Sequence, residues 1–162
     1  MPMSEIISTP VTRALDGLGI PYRVFRHNGP VNTVEQAARE RDMVVDQVVR
    51  SIVFRTGPGQ FCMALVSGER QVSWPALRRL LGQSRLTMAT ADEVQQATGY
   101  RPGAVSPFGL PAPLRILVDN SVLKQQLISM GSGVHSTAVI LTVPDMLKAL
   151  GEYEVVDLTG TS

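Results

Sequence analysis

The apolar positions of this chain fall into short stretches whose spacing changes several times between helical and alternating. The first stretch has helical spacing and places four apolar residues on one face: Val11, Ala14, Leu15 and Leu18. This helix is predicted to begin at Thr9 and to end before Gly19, with a proline in its first turn. A short strand is predicted at residues 22–26, and a second helix begins at Thr33, where Gln36 completes the spacing of a capping box.

The middle of the chain is predicted to form a hairpin. Residues 50–55 and 61–66 are apolar strands, and the turn between them contains two glycines and a proline. Ser73 and Thr90 occupy cap positions of two further helices. Beyond a stretch rich in glycine and proline, the pattern predicts strands at 114–118, 134–142 and 153–157 and a helix at 143–150, whereas residues 122–130 stay ambiguous. Hairpins mixed with helices, without regular strand–helix–strand alternation, predict an α+β fold around a curved mixed sheet.

Composition narrows the class of protein. The length of 162 residues favours a single domain over residues 1–162, and 44% hydrophobic against 18% charged residues is typical of a globular chain. The net charge of +1 argues against an extended phosphate-binding surface but leaves contact with one RNA end open. No secretory pattern and no apolar run of about 20 residues is visible, so we expect a cytoplasmic protein without a membrane segment.

Metal and cofactor chemistry find little support in the sequence. The soft ligands His27, His135 and Cys62 do not have the spacing of a metal site, and we predict neither a metal nor a cofactor. A single cysteine cannot form an internal disulfide, and its apolar surroundings predict a buried thiol. Neither phosphate-loop nor dinucleotide-binding glycine patterns occur.

The glycine- and proline-rich stretch contains the most interesting candidate for chemistry, residues Gly103–Pro107. It resembles the turn that carries a hydrolase nucleophile, but Pro107 follows Ser106 and has no N–H to serve as an oxyanion donor. Ser106 is therefore a poor nucleophile. The backbone N–H groups of Gly103, Ala104, Val105 and Ser106 could instead hold a developing oxyanion, and an ordinary turn is the alternative.

Three isolated polar residues have two interpretations each. His27 begins a loop and His135 follows a glycine-rich segment, so each is either a surface residue or a contact for a ligand. Arg50 opens an apolar strand, where its charge is either solvated or directed into a cleft that binds phosphate.

Several stretches of the chain occur in an order that is typical of one protein family. The most specific is residues 98–109, TGYRPGAVSPFG, and supporting similarity comes from YRVFRH at 22–27, TVEQAA at 33–38, QVVRSIVF at 47–54, ILVD at 116–119 and residues 131–141. In these stretches the chain resembles the YbaK/aminoacyl-tRNA deacylase family, which includes free-standing relatives of the prolyl-tRNA synthetase insertion domain. The resemblance implies a barrel-like mixed sheet flanked by helices. It also implies trans-editing, in which the ester between a wrong amino acid and the terminal adenosine of a tRNA is cleaved.

In this family the Gly-x-x-x-Pro loop, here Gly103–Pro107, supplies backbone donors to the aminoacyl carbonyl, and a substrate ribose hydroxyl assists. The resemblance therefore assigns catalysis to Gly103, Ala104, Val105, Ser106 and Pro107, and substrate contacts to Tyr22, His27, Arg50, Ser51 and His135. The implied partners are the acceptor end of an aminoacyl-tRNA and an aminoacyl-tRNA synthetase.

Two departures from the family pattern keep alternatives open. Arg50 stands where many members have a lysine that contacts the substrate, and the loop with His135 differs from the YbaK subgroup, so cysteine is not assumed as the amino acid removed. One alternative is a non-catalytic module that binds an amino acid, a nucleotide or a tRNA end. A further alternative is an unrelated serine esterase that uses Ser106.

Overall fold

The computed structural model describes residues 7–160, which form six α-helices, one 3-10 turn and eight strands. In chain order these are α1 (Pro10–Gly17), β1 (Arg23–Arg26), α2 (Val34–Glu40), the 3-10 turn (Val45–Gln47), β2 (Val49–Gly57), β3 (Gln60–Ser67), α3 (Trp74–Leu81), β4 (Thr87–Met88), α4 (Ala91–Thr98), β5 (Arg115–Asp119), α5 (Asn120–Leu123), β6 (Leu127–Gly131), β7 (Thr137–Thr142), α6 (Val143–Leu150) and β8 (Glu154–Val156).

Hydroxyl side chains begin the helices where the sequence predicts them. The Thr9, Thr33, Ser73 and Thr90 hydroxyls each accept a hydrogen bond from a backbone N–H in the first turn of α1, α2, α3 and α4. The predicted capping box at Thr90 is complete, because the Glu93 carboxylate also accepts from the Thr90 N–H. At α2 the Gln36 side chain accepts instead from the N–H of Asn32, one residue before the cap.

The strands form two sheets. The smaller sheet has the order β1-β7-β6 and is antiparallel, and the larger has the order β4-β2-β3-β5-β8. In the larger sheet β2 pairs antiparallel with β3 and β4, whereas β3–β5 and β5–β8 are parallel. A parallel bridge between Val48 and Ser129 joins the two sheets. The α+β prediction is confirmed, although the strands form two sheets linked by this bridge and not one curved sheet.

Three segments differ from the sequence prediction. The strand predicted from residue 134 begins at Thr137, because Gly133 and Ser136 have positive φ angles of 89° and 63° that interrupt an extended backbone. The ambiguous residues 122–130 divide between α5 and β6. The two-residue strand β4 is too short to produce an alternating pattern, and the sequence did not indicate it.

The central strand β3 is buried on both faces, which gives it a continuous apolar sequence. Met63 and Leu65 pack into a large core that also contains Leu15 of α1, and the alternate residues of β3 pack against Leu77 of α3. Strand β2 is held rigidly along β3, and the edge of β2 that faces away from β3 borders the site described next.

Candidate active site

A cavity of about 400 Å³ lies along residues 49–53 of β2, at the edge that faces away from β3 and before the pairing with β4. Its lining comes from residues 49–53 of β2, from Pro102, Gly103 and Val105 of the predicted catalytic loop, and from the end of β6. Arg41 and Val48 lie at one end, where the two sheets meet. Met88, Ala89 and Val94 supply apolar side chains to the same lining. The cavity therefore combines cationic, backbone and apolar surfaces.

Hydrogen-bond alternation in the β2–β3 hairpin directs the polar groups of Ser51 towards this edge. The Gly68 N–H donates to the Val48 carbonyl at 2.7 Å, so every second residue from Val48 bonds to β3 and the residues between them face outward. The Ala89 N–H accordingly bonds to the outward carbonyl of Val53. The Ser51 hydroxyl is also buried and has no hydrogen-bond partner within residues 7–160. Ser51, a predicted substrate contact, thus offers unpaired polar groups at the cavity.

Hydrogen bonds to backbone groups outside the loop hold Gly103–Pro107 in place. The Ala104 N–H donates to the Arg101 carbonyl at 3.0 Å, and the Ala104 carbonyl accepts from the Gly133 N–H at 3.0 Å. Tyr100 closes the loop, because its buried hydroxyl donates to the Phe108 carbonyl. Gly103 has a φ of 91°, which favours glycine at this position.

The donor set of the loop is smaller than the sequence predicted. The N–H of Ala104 is already bonded, which corrects the expectation that four N–H groups are available. No acceptor within residues 7–160 bonds to the N–H of Gly103, Val105 or Ser106. Of these residues Gly103 and Val105 line the cavity, while Ala104 and Pro107 support the loop behind it.

Ser106 is unsuited to nucleophilic attack. Its side chain is 0% exposed, and its hydroxyl oxygen accepts a hydrogen bond from the Phe108 N–H at 3.2 Å. A buried hydroxyl that stabilises a turn cannot reach an ester carbonyl, so the serine-esterase alternative has no accessible nucleophile in Ser106.

Gly131, at the end of β6, allows the loop to lie directly against the small sheet. A Cβ atom at this position would overlap the carbonyl oxygen of Val105. The sequence analysis did not identify Gly131 as a site residue, because its requirement for glycine comes from a contact with a loop far away in the chain.

His135 lies on the outside of the loop. Its Nε2 atom is 3.0 Å from the Pro102 carbonyl oxygen, and the ring lies close to Gly103. A carbonyl oxygen only accepts, so the hydrogen bond requires a proton on Nε2. His135 is exposed and does not line the cavity, and it supports the loop rather than the interior of the site.

Arg50 reaches the cavity, but its guanidinium is largely engaged elsewhere. Nε donates to the Gly68 carbonyl at 2.6 Å, and Nη2 donates to the Arg70 carbonyl. Burial lowers the pKa of Arg50, partly opposed by the charge of Glu69. The edge of the guanidinium that best matches a phosphate therefore already binds backbone oxygens.

Arg41 is the cation that the sequence analysis missed. It follows the last turn of α2, its Nε donates to His27 Nε2 at 3.1 Å, and its Nη1 donates to the Ser129 hydroxyl at 2.8 Å. Burial lowers the pKa of Arg41 to about 10, although the charge of Glu40 opposes this change. Its contacts are with residues 14 and 88 positions away, which no local pattern reveals.

His27 bonds to Arg41 and is not part of the cavity lining, and its predicted substrate contact stays a prediction. Its side chain is 0% exposed, and its Nδ1 lies 2.6 Å from Glu40 Oε1. Because Nε2 accepts from Arg41, the ring proton is on Nδ1 and is donated to the carboxylate. The hydrogen bonds from Gln36 and His27 keep the pKa of Glu40 below its ordinary value.

Tyr22 also lies outside the cavity lining, and its predicted role in substrate binding stays a prediction. Its hydroxyl donates to Asp16 at 2.8 Å, and desolvation, followed by this hydrogen bond, raises the pKa of Tyr22. Tyr22 thereby connects the start of the small sheet to α1.

Two kinds of feature are absent from the described part of the chain. Residues 7–160 contain no group of three or more His, Cys, Asp or Glu side chains that could hold a metal ion. Among the helices formed by these residues, none is long and apolar enough to cross a membrane.

Comparison with known proteins identifies the family. A model of the aminoacyl-tRNA editing domain matches residues 28–149. A proline–tRNA ligase of Trichlorobacter lovleyi is 34% identical over 96 residues, which cover 59% of this chain but only 17% of the ligase. The prolyl-tRNA editing protein ProX of Acetoanaerobium sticklandii is 26% identical over 143 residues, which cover 85% of this chain and 87% of ProX.

A solved structure has the same fold. The crystal structure of a candidate trans-editing enzyme for prolyl tRNA synthetase superposes with a TM-score of 0.85 at 28% identity, over 96% of this chain and 100% of the other. With the family model covering most of the chain, this protein belongs to the aminoacyl-tRNA editing domain family.

Proposed function

We propose that this protein is an aminoacyl-tRNA deacylase that acts in trans on a mischarged tRNA. The observation that carries the proposal is the loop at the cavity, where the N–H groups of Gly103 and Val105 have no acceptor within residues 7–160. Fixed backbone donors stabilise the negative charge that develops on an ester carbonyl oxygen during hydrolysis. The matching segments of proline–tRNA ligases and ProX support a tRNA acceptor end as the partner.

The cavity lining favours a mechanism without a protein nucleophile or base. Among the described residues, its only ionisable side chains are the two arginines, and Ser51 provides its nearest free hydroxyl. Neither arginine accepts a proton near neutral pH. Activation of water is therefore assigned to the substrate, whose vicinal ribose hydroxyl lies beside the ester, and the loop provides the stabilisation of the oxyanion.

The apolar part of the lining is assigned to the side chain of the amino acid. Val53, Met88, Ala89 and Val94 have no polar side-chain atoms with which to recognise a charged group. Burying an unpaired charge there would be unfavourable, so small, uncharged amino acids are the expected substrates. Discrimination between substrates that differ by one methylene is limited to about 1–3 kcal/mol in such a pocket.

The test is hydrolysis of a full panel of aminoacyl-tRNAs by the purified protein and by the Gly103→Val variant. We expect the native protein to hydrolyse at least one mischarged tRNA. In the variant, kcat/KM should fall by roughly 100-fold or more, which is the usual effect of losing one oxyanion donor. Gly29→Val is the matched control, because no atom lies within 4 Å of a Cβ at Gly29. Hydrolysis of no panel member above the uncatalysed rate would refute the proposal.

The engaged guanidinium of Arg50 favours one second candidate, a binding module of the same fold that does not hydrolyse its ligand. Under this alternative, the native protein binds the acceptor end without turnover, and Arg50→Lys restores hydrolysis by supplying the compact ammonium of the family. Turnover by the native protein would exclude the binding module.

A further inference from the structure

We propose that Arg41, held by His27, is the anion-binding residue of this cavity and that it receives a phosphate of the terminal tRNA nucleotide. The identity of the anion rests on the proposed function, whereas the anion site itself rests on the contacts of Arg41. The family similarity assigns the cationic contact to the position of Arg50, so Arg41 is a different residue on a different element.

Arg41 is a partly buried cation that forms no ion pair within residues 7–160. Both of its hydrogen-bond partners, His27 and the Ser129 hydroxyl, are neutral. No carboxylate oxygen lies within 4.0 Å of Arg41 among residues 7–160. The adjacent Glu40 uses one carboxylate oxygen on His27 and the other on Gln36. A desolvated guanidinium is stabilised by direct pairing with an anion, and within residues 7–160 Glu40 acts on Arg41 only through its charge, without an ion pair.

Arg41 also has N–H donors that no contact within residues 7–160 uses. A guanidinium has five N–H donors, of which the described contacts use one on Nε and one on Nη1. The two hydrogens of Nη2 and one of Nη1 have no acceptor within residues 7–160, and they can donate to the oxygens of a phosphate. Arg50 differs, because its Nε–Nη2 edge is occupied by the carbonyls of Gly68 and Arg70.

Arg41 and the loop Gly103–Pro107 both contact strand β6. Arg41 is bonded to Ser129, and Gly131 lies two residues further along β6, in contact with Val105. Two residues of strand correspond to roughly 7 Å, so Arg41 and the loop contact neighbouring positions on the same strand. An ester at the loop would thus place the phosphate on the same ribose near Arg41.

His27 is the positioning residue of this arrangement. Its Nε2 is available as an acceptor only because Nδ1–H is donated to Glu40, so the Glu40–His27 pair sets both the tautomer and the direction of the Arg41 Nε–H. Replacing His27 with phenylalanine keeps a planar ring in the same buried space but removes the acceptor for Arg41.

The direct test is calorimetric binding of AMP and of adenosine to the native protein and to Arg41→Gln. We expect the variant to bind AMP at least tenfold more weakly and to bind adenosine as the native protein does. Binding of AMP by the native protein should also weaken as the salt concentration rises, and binding by the variant should depend less on salt. Arg39→Gln is the matched control, because Arg39 lies two residues before Arg41, in the last turn of α2, with a side chain that is 68% exposed. Equal loss of AMP and adenosine binding, or no loss of either, would overturn the anion site.

Kinetics separate this inference from the proposed function. On the tRNA that the panel identifies, Arg41→Gln should raise KM at least tenfold with kcat changed less than threefold, and His27→Phe should show the same division to a smaller extent. If hydrolysis occurs but Arg41→Gln leaves KM unchanged, the phosphate assignment fails while the deacylase function stands. If no tRNA is hydrolysed but AMP binding depends on Arg41, the function fails while the anion site stands.

Two further outcomes are decisive. Selective hydrolysis of aspartyl- or glutamyl-tRNA that is lost in Arg41→Gln would overturn the phosphate assignment, because Arg41 would then bind the amino-acid side chain. Should Arg41→Gln fail to fold, as judged by circular dichroism, Arg41→Lys replaces it. That variant keeps the charge but loses the fork, and AMP binding equal to that of the native protein would contradict the required geometry.

Discussion

Tyr100 shows how a single side chain holds the loop Gly103–Pro107. Its ring is 3% exposed, its hydroxyl donates to the Phe108 carbonyl, and Gly109 and Gly133 both lie against it, where a Cβ would come within 2.7 Å of the tyrosine. Glycine at these two positions therefore makes space for the side chain. Burial also raises the pKa of Tyr100 to about 12, from an ordinary value of 10.0.

Tyr100→Phe is expected to lower the free energy of unfolding by about 1–3 kcal/mol at pH 8, because the buried Phe108 carbonyl loses its donor. Above pH 10 the unfolded tyrosine releases a proton that the folded one retains. The contribution of Tyr100 to stability therefore falls by about 1.4 kcal/mol per pH unit between about pH 10 and about pH 12.

Urea unfolding from pH 8 to pH 11 measures both effects. The difference in stability between the native protein and Tyr100→Phe should shrink as the pH rises above 10. Tyr153→Phe, at a side chain that is 37% exposed, is the control and should change little. A difference that stays constant across this range would contradict the assignment.

Single residues of the site could be predicted only where local sequence determines their role. The loop was predicted from its glycine and proline residues, the proline after Ser106 argued against a nucleophile, and Ser51 was predicted through family similarity. Arg41 and Gly131 were missed, since their roles depend on Ser129 and Val105, which are distant in sequence. His27 was predicted as a contact with the substrate, but its place behind Arg41 requires the fold.

At the scale of elements, β6 and the loop form one unit. Gly131→Ala would place a methyl group against the Val105 carbonyl and force the loop or the strand to move. We expect a loss of about 1–3 kcal/mol in the free energy of unfolding, which is the usual cost of overpacking, together with reduced hydrolysis. Gly17→Ala, at an uncrowded position in α1, is the control. Gly17 is the last residue of α1, where alanine is at least as favourable as glycine, so the control should be as stable as the native protein or more so.

Thermal unfolding and the aminoacyl-tRNA assay on the same preparations test this prediction. If Gly131→Ala retains both native stability and native activity, the close approach of β6 to the loop has no functional importance.

Elements with their own start and stop signals were predictable. The helices with hydroxyl caps begin where the sequence indicated, and the β2–β3 hairpin follows its turn. Strands β4 and β7 were not correctly bounded, because a two-residue strand has no periodicity and a serine with positive φ looks like any other serine in a sequence. Which strand pairs with which was likewise not accessible from local patterns.

At the scale of the molecule, both sheets contribute to one core. The large cluster contains Val53 and Met63 of the five-stranded sheet together with Ile128 and Val139 of the three-stranded sheet. The cavity lies where the two sheets meet, with β2 on one side and β6 on the other. The geometry of the site therefore depends on the sheets remaining packed together.

This shared core leads to the proposal that residues 1–162 unfold as a single domain. We expect one calorimetric transition in which the van't Hoff and calorimetric enthalpies agree, since separating the sheets would expose the apolar side chains of both. AMP should raise the transition temperature of the native protein and of Arg39→Gln, and should raise that of Arg41→Gln less, because ligand binding stabilises only the folded state. Two resolved transitions would show instead that the sheets unfold independently and that the cavity is an interface between separate folding units.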